Sequence, residues 1–280
     1  MDEEPYNFAA AHAIWLAQRH SARALFFSWQ NLNRRYPPPF SWIEKYCYRH
    51  AAAIAGTDGA KGVLRAKGFN GQLVVIPQFG VDPELFRPKS EELPSSHFTI
   101  GYVGRLVEEK GLKHLLAAMT GLPAVRLRIA GRGPLSKWIV DYAMANNISG
   151  RVSRPAPIAA ENVPDFLHSL DLLVLPSLPA PNWTEQFGRV LVEAMACQVP
   201  VVASNSGEIA SVLGNAGKVI PPGNERALIE AVEGIRGNID LAREMGYKGR
   251  ERVLKKFTHQ HIARATSAFY SNLLSSQSQV

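Results

Sequence analysis

From Phe98 onward, short apolar runs of strand length alternate with helical patterns, and this alternation decides what the chain can fold into. The strands are read at Phe98–Val103, Val125–Ala130, Leu172–Leu175, Val199–Ala203 and Lys218–Ile220. Helical patterns lie near 110–120, 134–146, 160–169, 188–197, 207–213 and 224–236. Strand and helix in turn predict a doubly wound parallel sheet of the α/β class. Two further helical patterns, 240–256 and 259–275, close the chain.

The first 97 residues alternate as well, with fewer units. Helical patterns at about 7–20, near 41–50 and at 59–68 are each followed by a strand, at Ala24–Phe27, Ala52–Ala55 and Leu73–Ile76. Tyr36-Pro37-Pro38-Pro39-Phe40 must be a loop, because three prolines remove three consecutive backbone donors. Asp82-Pro83 and the stretch from Pro88 to Pro94 read as a linker.

At 280 residues the chain can bury two cores. It has no apolar run of the roughly 18 residues that a membrane span needs. Met1-Asp2-Glu3-Glu4-Pro5 is acidic with no apolar run behind it, so a secretory leader is not expected. Cys47 and Cys197 make no ligand or disulfide pattern, which fits a reducing, cytoplasmic setting. The net charge is +7, and residues 11–70 alone carry nine Lys and Arg against Glu44 and Asp58, an excess of seven. Trp15, Trp29, Trp42, Tyr36, Tyr46 and Tyr48 share that stretch. A basic surface with aromatics could meet nucleic acid, anionic lipid or a phosphorylated acceptor, or could be a solvated face over an aromatic core.

The chemistry concentrates in three places. The first is "TEQFGRVLVEAMACQVPVVAS", residues 184–204, in which Glu185 and Glu193 stand eight positions apart in an apolar segment. With a helix beginning near Phe187-Gly188, Glu185 lies in the loop ahead of it and Glu193 two turns in. Eight helical residues rise about 12 Å. A helix amino terminus offers free N–H groups and a positive dipole end, which suit phosphate. A carboxylate on either side could clamp a sugar ring by its diol, so the spacing fits a nucleotide-sugar lying across a helix start. The plainer reading makes both glutamates ordinary helix residues. The second place is "GYVGRLVEEKG", residues 101–111, where Gly101 and Gly104 open a turn followed by Arg105 and Lys110. Two cations at a strand's carboxyl end can meet a phosphate pair, or can be surface residues. The third is "LRIAGRGP", residues 127–134, whose Gly131 and Gly133 allow close backbone approach to a base or ribose. No D-x-D pair occurs among the seven aspartates, so the usual metal–diphosphate ligand is missing. His259-x-His261 reads as a helix start, and Cys197 as a core thiol.

Gly104-Arg105-Leu106 with Lys110-Gly111, Ala130-Gly131-Arg132-Gly133-Pro134, Asp171 with Leu175-Pro176-Ser177, and Glu185 with Phe187-Gly188 and Glu193-Ala194-Met195-Ala196 follow one another in order. In this the chain resembles the retaining glycosyltransferases of group 1, or family 4, of the GT-B fold, whose E-x7-E signature is matched by the glutamate pair. The resemblance is dense over about 98–275 and looser over 1–97. It implies two Rossmann-like domains with parallel sheets: a partial acceptor-side domain over 1–97, a donor-nucleotide domain over 98–256, and a helix over 257–280 that crosses back. It further implies sugar transfer from a nucleoside diphosphate to an acceptor hydroxyl with retention, no cofactor and no metal. Arg105 and Lys110 would neutralise the leaving diphosphate, Glu193 would hold the ribose, and Glu185 the donor sugar, with the N–H groups of Gln186, Phe187 and Gly188. The N–H groups of Val190 and Leu191 would meet the phosphates, and Gly104, Gly131 and Gly133 would line the donor site. Gln30, near the position of the family's active-site histidine, is an acceptor-side candidate. The acceptor would be a glycan, a lipid or a small molecule, with no nucleic acid partner. Residues 11–70 would make a peripheral contact at the inner membrane face.

Departures from the family pattern carry expectations of their own. Gln198 stands where the helix bearing Glu193 usually ends in glycine, and Ala156 replaces a glycine in "RPAPI". The family's opening strand and glycine-rich turn have no counterpart ahead of Asp2-Glu3-Glu4-Pro5, so a truncated chain that transfers poorly is expected. A nucleotide-sugar-binding relic, and an epimerase or phosphorylase of the same fold, remain alternatives.

Overall fold

The computed structural model describes residues 3–89, 97–154 and 158–275. They form two compact units, one of residues up to Gly80 with those from His259 onward, the other of Val81–Thr258.

The smaller unit runs α1 (Phe8–Arg19), β1 (Leu25–Ser28), α2 (Phe40–His50), β2 (Ala52–Ala55), α3 (Asp58–Ala66) and β3 (Leu73–Val75). Its sheet has the order β1-β2-β3 and both ladders are parallel. The central strand reads Ala-Ala-Ile-Ala and is buried along its length, so small side chains let the helices approach. Thr57 starts α3 by accepting the Ala60 N–H at 3.1 Å, as an N-cap residue should. Phe26 fills the core between the rings of Tyr48 and Phe69. Burial pushes the free Cys47 thiol up to about 12, which makes it an inert core group.

The larger unit runs β4 (Phe98–Val103), α4 (Leu112–Thr120), β5 (Val125–Ala130), α5 (Ser136–Ala145), β6 (Val152–Ser153), α6 (Val163–His168) and β7 (Leu172–Leu175). It continues through α7 (Arg189–Ala196), β8 (Val201–Ser204), α8 (Ile209–Leu213), β9 (Lys218–Ile220), α9 (Glu225–Arg236) and α10 (Ile239–Lys256). All six strands are parallel, in the order β6-β5-β4-β7-β8-β9. The chain therefore builds outward from β4 on one side and restarts at β7 on the other. A doubly wound sheet opens a crevice where the strand order reverses, outside the carboxyl ends. Here that point is the β4–β7 seam. The β4–β5 ladder runs from Phe98↔Val125 to Val103↔Ala130, but the β4–β7 ladder holds only Ile100↔Leu172 and Gly101↔Leu173. Asp171 pins the amino ends of these two strands. Its Oδ2 accepts the Thr99 N–H at 2.7 Å, and its own N–H donates to the Thr99 carbonyl at 2.8 Å. The seam is locked at one end and unladdered at the other.

The last helix, α11 (His259–Ser275), belongs to the smaller unit. There Tyr270, Leu273 and Leu274 border a cleft of about 410 Å³ with Ile14 of α1 and Leu25 of β1.

Several boundaries differ from the sequence reading. The division falls after Gly80, not residue 97, because the segment that follows is tied to the larger unit. Val81 N–H donates to the Phe257 carbonyl at 2.9 Å, Phe86 is buried, and Arg250 donates to the carbonyls of Phe86 and Pro83 at 2.8 and 3.2 Å. β8 begins at Val201, since Pro200 has no N–H to give the ladder and only its carbonyl takes part, accepting from Leu173 at 2.9 Å. β6 has no apolar run to announce it: it is a two-residue edge strand of Val152 and Ser153. Ala156 and most of the expected linker lie outside the described residues.

Gln198 does end α7 in the left-handed region, with φ of 58°. Gly246 of α10 packs so closely there that a Cβ would stand 2.4 Å from the Gln198 carbonyl oxygen. A non-glycine residue in this conformation costs on the order of 1 kcal/mol. Gln198→Gly should therefore raise the stability of the larger unit by about 1 kcal/mol. The measurement is an upward shift of the urea midpoint at constant slope; an unchanged midpoint would show that neighbouring contacts have removed the strain.

Candidate functional site

Two loops leave the open end of the β4–β7 seam, and each is shaped by its sequence. After β4 the chain makes a turn of 3-10 helix at Glu108–Lys110 and passes through Gly111 at φ 67° before α4. A Cβ on Gly111 would lie 1.9 Å from the Pro176 carbonyl oxygen, so only glycine lets this loop touch the one that follows β7. The Leu178 N–H then donates to the Glu109 carbonyl at 2.8 Å and fastens the two.

Lys110 and Glu185 meet across this junction. Lys110 Nζ lies 2.5 Å from Glu185 Oε2, and the two side chains are only 13% and 10% exposed. Ser177, fully buried at the end of β7, donates to the same carboxylate oxygen at 2.9 Å. The ammonium also lies 4.9 Å from the centre of the Trp183 ring, a cation–π contact strengthened by burial. The Glu185 carbonyl accepts the Glu208 N–H at 2.9 Å. A buried ion pair needs such additional bonds to offset desolvation, and loss of either partner leaves an uncompensated charge. Tyr102, buried in β4, donates to the Arg105 carbonyl at 2.7 Å. Burial raises its phenol far above the ordinary value, and the negative charge of Glu185 adds to the effect.

Helix α7 begins at Arg189, directly after Gly188, which follows the Glu185–Phe187 stretch as a left-handed N-cap. Glu193 is thus about one turn into the helix, not two. It is buried, and Arg189 one turn earlier donates from Nε to its Oε1 at 2.7 Å. Burial raises the Glu193 pKa, with Arg189 opposing the shift. The Leu191 N–H, expected to face a ligand, instead closes the first turn on the Gly188 carbonyl at 2.8 Å. The Val190 N–H has no partner among the described residues. Phe187 is buried edge-on against Phe257 at 5.7 Å, whereas Gln186 is exposed.

The glycine turns after β4 and β5 interlock. A Cβ on Gly131, at φ 153°, would lie 1.8 Å from the Gly104 carbonyl oxygen, and Leu106 N–H donates to the Arg132 carbonyl at 2.9 Å. Beside them opens a cavity of about 480 Å³ lined by Gly104, Arg105, Gly131, Arg132, Ile158 and Val163. Gly133 packs against the Leu106 backbone and does not line it. Arg105 remains 65% exposed, with Glu109 at 3.9 Å. The two expected phosphate cations therefore differ: Lys110 is buried and paired, Arg105 projects outward. Gln30 stands in the smaller unit just past β1, where it donates to the Tyr36 hydroxyl at 3.2 Å and accepts from Leu32 N–H at 3.2 Å. Sequence reasoning assigned no role to Ser177, Trp183 or Tyr102. Trp183 meets Lys110 from 73 positions away and Ser177 meets Glu185 across the loop after β7, so no helix or strand periodicity pairs them; only the placement of Ser177 two residues beyond an apolar strand hinted at a role.

A buried ammonium–carboxylate pair at a topological switch point, next to a glycine-started helix, marks an α/β protein built to hold a ligand at the strand ends. Comparison with known proteins gives the family. The model of the glycosyl transferases group 1 matches residues 85–252, and the chain belongs to that family. It is similar to the capsular polysaccharide biosynthesis glycosyltransferase CapM of Staphylococcus aureus, 28% identical over 72% of this chain and 53% of that protein. It is also similar to the alpha-maltose-1-phosphate synthase of Mycolicibacterium smegmatis, 28% identical over 82% of this chain and 65% of that one. The chain thus spans between half and two thirds of the length of these relatives. Among solved structures, HepE of Anabaena in complex with UDP superposes with a TM-score of 0.82 at 20% identity, over 94% of this chain and 76% of that one, and shares its fold.

The raised pKa of Glu193 has a measurable consequence. The folded chain holds that proton more tightly than the unfolded chain, so this group's contribution to stability declines as pH climbs from the ordinary 4.5 through the raised value. Glu193→Gln removes the decline. The variant should melt at or above the unaltered chain at pH 7, and the difference should vanish toward pH 4. A variant that melts lower at pH 7 would show that the Arg189 pair outweighs burial.

Proposed function

We propose that the chain takes a nucleoside-diphosphate sugar as donor and moves its hexose-type sugar to an acceptor hydroxyl with retained configuration, without a metal ion. The observation that carries this reading is the buried Lys110–Glu185 pair beside the α7 start, within a chain of the glycosyl transferases group 1. The presence of UDP in the HepE complex is consistent with it. The cavity beside Gly104 and Gly131 would take part of the nucleotide, and Glu193 would accept hydrogen bonds from the ribose diol. The diphosphate would lie at the Val190 N–H and the positive end of α7. Lys110 would share its charge between Glu185 and the leaving diphosphate, with the exposed Arg105 as the second cation. Glu185 would hold the donor sugar. As the bond between the sugar and the diphosphate breaks, these fixed charges stabilise the departing group, and the acceptor oxygen enters from the same face. No enzyme nucleophile takes part.

A second reading is that this chain binds the donor and turns it over poorly. It is favoured by the smaller unit, whose described sheet has three strands. For residues 11–70 we propose a peripheral contact with anionic lipid at the cytoplasmic face. On α2, Trp42, Lys45 and Arg49 lie along one exposed stripe with Phe40 beside them. No helix of the described residues is long and apolar enough to cross a membrane.

Calorimetry with UDP, GDP and ADP in excess chelator tests the donor reading. One of them should bind; Glu193→Ala should weaken it by roughly 1–3 kcal/mol, and Glu185→Gln, which keeps an acceptor for Lys110 and Ser177, should leave it nearly intact while harming use of the full sugar nucleotide. Equal losses in both variants would end this division of labour, and affinity that returns only with magnesium or manganese would end metal independence. Free nucleoside diphosphate released only with acceptor present separates transfer from mere binding. For the lipid contact, co-sedimentation with phosphatidylserine vesicles should fall at high salt and in Trp42→Ala with Lys45→Glu; retention in that double variant would refute it.

A further inference from the structure

Past Leu175↔Ala203, where the β7–β8 ladder stops, the two strands stay tied through side chains. Ser204, the last residue of β8, donates its hydroxyl to the Ser177 carbonyl. Ser177 in turn donates its own hydroxyl to Glu185 Oε2 at 2.9 Å, the oxygen that Lys110 reaches from the loop after β4. Ser204 thus fixes the main chain of Ser177, and Ser177 helps to fix the carboxylate. The loop that follows β8 also grips the backbone of the same glutamate. The Glu208 N–H donates to the Glu185 carbonyl at 2.9 Å, and Gly207 turns beside it at φ 55°. A Cβ on Gly207 would lie 2.0 Å from that carbonyl oxygen, so a side chain there would force the two loops apart. Ser177 and Ser204 are 0% and 1% exposed, so neither can touch a ligand. Any effect they have on one is exerted through Glu185.

We propose that Ser204 is a positioning residue for Glu185, acting through Ser177, and that it sets recognition of the donor's sugar and not of its diphosphate; this rests on the donor reading above. A sugar hydroxyl binds a carboxylate only over a narrow range of distance and angle. A displacement on the order of 1 Å, made away from the contact itself, is enough to lose most of its value. The bond from Ser204 to Ser177 controls a displacement of that kind, because it holds the chain that carries one of the donors to Glu185. The diphosphate, by contrast, would lie at the start of α7, which Gly188 sets independently of Ser204. Ser206 supplies the internal comparison. It lies in the same loop and is equally buried, at 1% exposure, yet its hydroxyl has no partner among the described residues. Two buried serines two positions apart therefore differ in whether they are tied to the glutamate.

Calorimetry on the full chain tests this, with UDP, GDP and ADP and the glucose and mannose conjugates of each as probes. The quantity read is the affinity for a sugar nucleotide divided by that for its bare diphosphate. Ser204→Ala should lower this ratio about tenfold, the scale of one hydrogen bond to a charged group, with diphosphate affinity kept within about twofold. Ser204→Thr, which keeps the hydroxyl, should restore most of the ratio. Ser177→Ala should lower the ratio as well, and the double variant should do little more than either single one, since both act along one line of contact. Ser206→Ala removes an unpaired buried hydroxyl and should leave the ratio unchanged. If Ser204→Ala does not fold, Ser204→Cys, close in size with a weaker donor, should show a smaller loss of the same kind. An unchanged ratio in Ser204→Ala would overturn the proposal. So would losses that add in the double variant, or an equal loss in Ser206→Ala, either of which would mean a loosened loop. Binding of none of the three diphosphates would refute the donor reading itself, whereas binding with an unchanged ratio would refute the role of Ser204 alone.

Discussion

The contact between Lys110 and Glu185 is the constraint on which the larger unit's site depends. It joins the loop after β4 to the loop after β7 across the seam where strand order reverses. Burying two charges is costly, and the cost is offset only because Ser177, Trp183 and the surrounding backbone complete the coordination. Gly111 is part of the same requirement, since any side chain there would push the loops apart at Pro176. Lock the seam with Asp171 at one end, separate it at the other, and a charged pair can sit between strands without entering the core.

The seam also explains why Glu193 is uncomfortable in the resting chain. Its carboxylate is held in a buried place by a helix whose start is set by Gly188, and among the described residues its ion-pair partner is Arg189, whose side chain is more than half exposed. Burial raises the pKa of this carboxylate, so its ionised form costs stability, and hydroxyl donors placed beside it would offset that cost.

Much of this could be read from residue order. The strands Phe98–Val103, Val125–Ala130, Leu172–Leu175 and Lys218–Ile220 match the structure end to end; Leu172–Leu175 is an uninterrupted buried apolar run, whereas Val125–Ala130 alternates buried apolar residues with Arg126 and Arg128. The left-handed turn at Gln198 was legible through the family resemblance, in which glycine usually stands there. Where the periodicity carried no signal, the reading failed. β6 is too short and too polar, Pro200 hid the start of β8, and α7 starts at Arg189, just past the expected Phe187-Gly188, which leaves Glu193 four residues beyond the helix start. The partners of Glu185 were unreadable for another reason. Lys110 lies 75 positions away, and no local pattern encodes which distant loop a carboxylate will meet. The expectation that Leu191 offers a free N–H failed because the first turn of α7 is tight enough to use it.

The order in which the strands are made differs from the order in which they lie. β4 is the first strand of its sheet to leave the ribosome, yet it ends in the middle, between β5 and β7. β5 follows at once, whereas β7 starts at Leu172, long after β4 ends at Val103. At translation rates of roughly 5–20 residues per second, a central strand of the finished protein spends on the order of several seconds as an open edge. That edge includes Ile100 and Tyr102, both fully buried in the final fold. A nascent chain stalled between these two strands would present the cell with an apolar template for mispairing, and this interval is when a chaperone has something to hold.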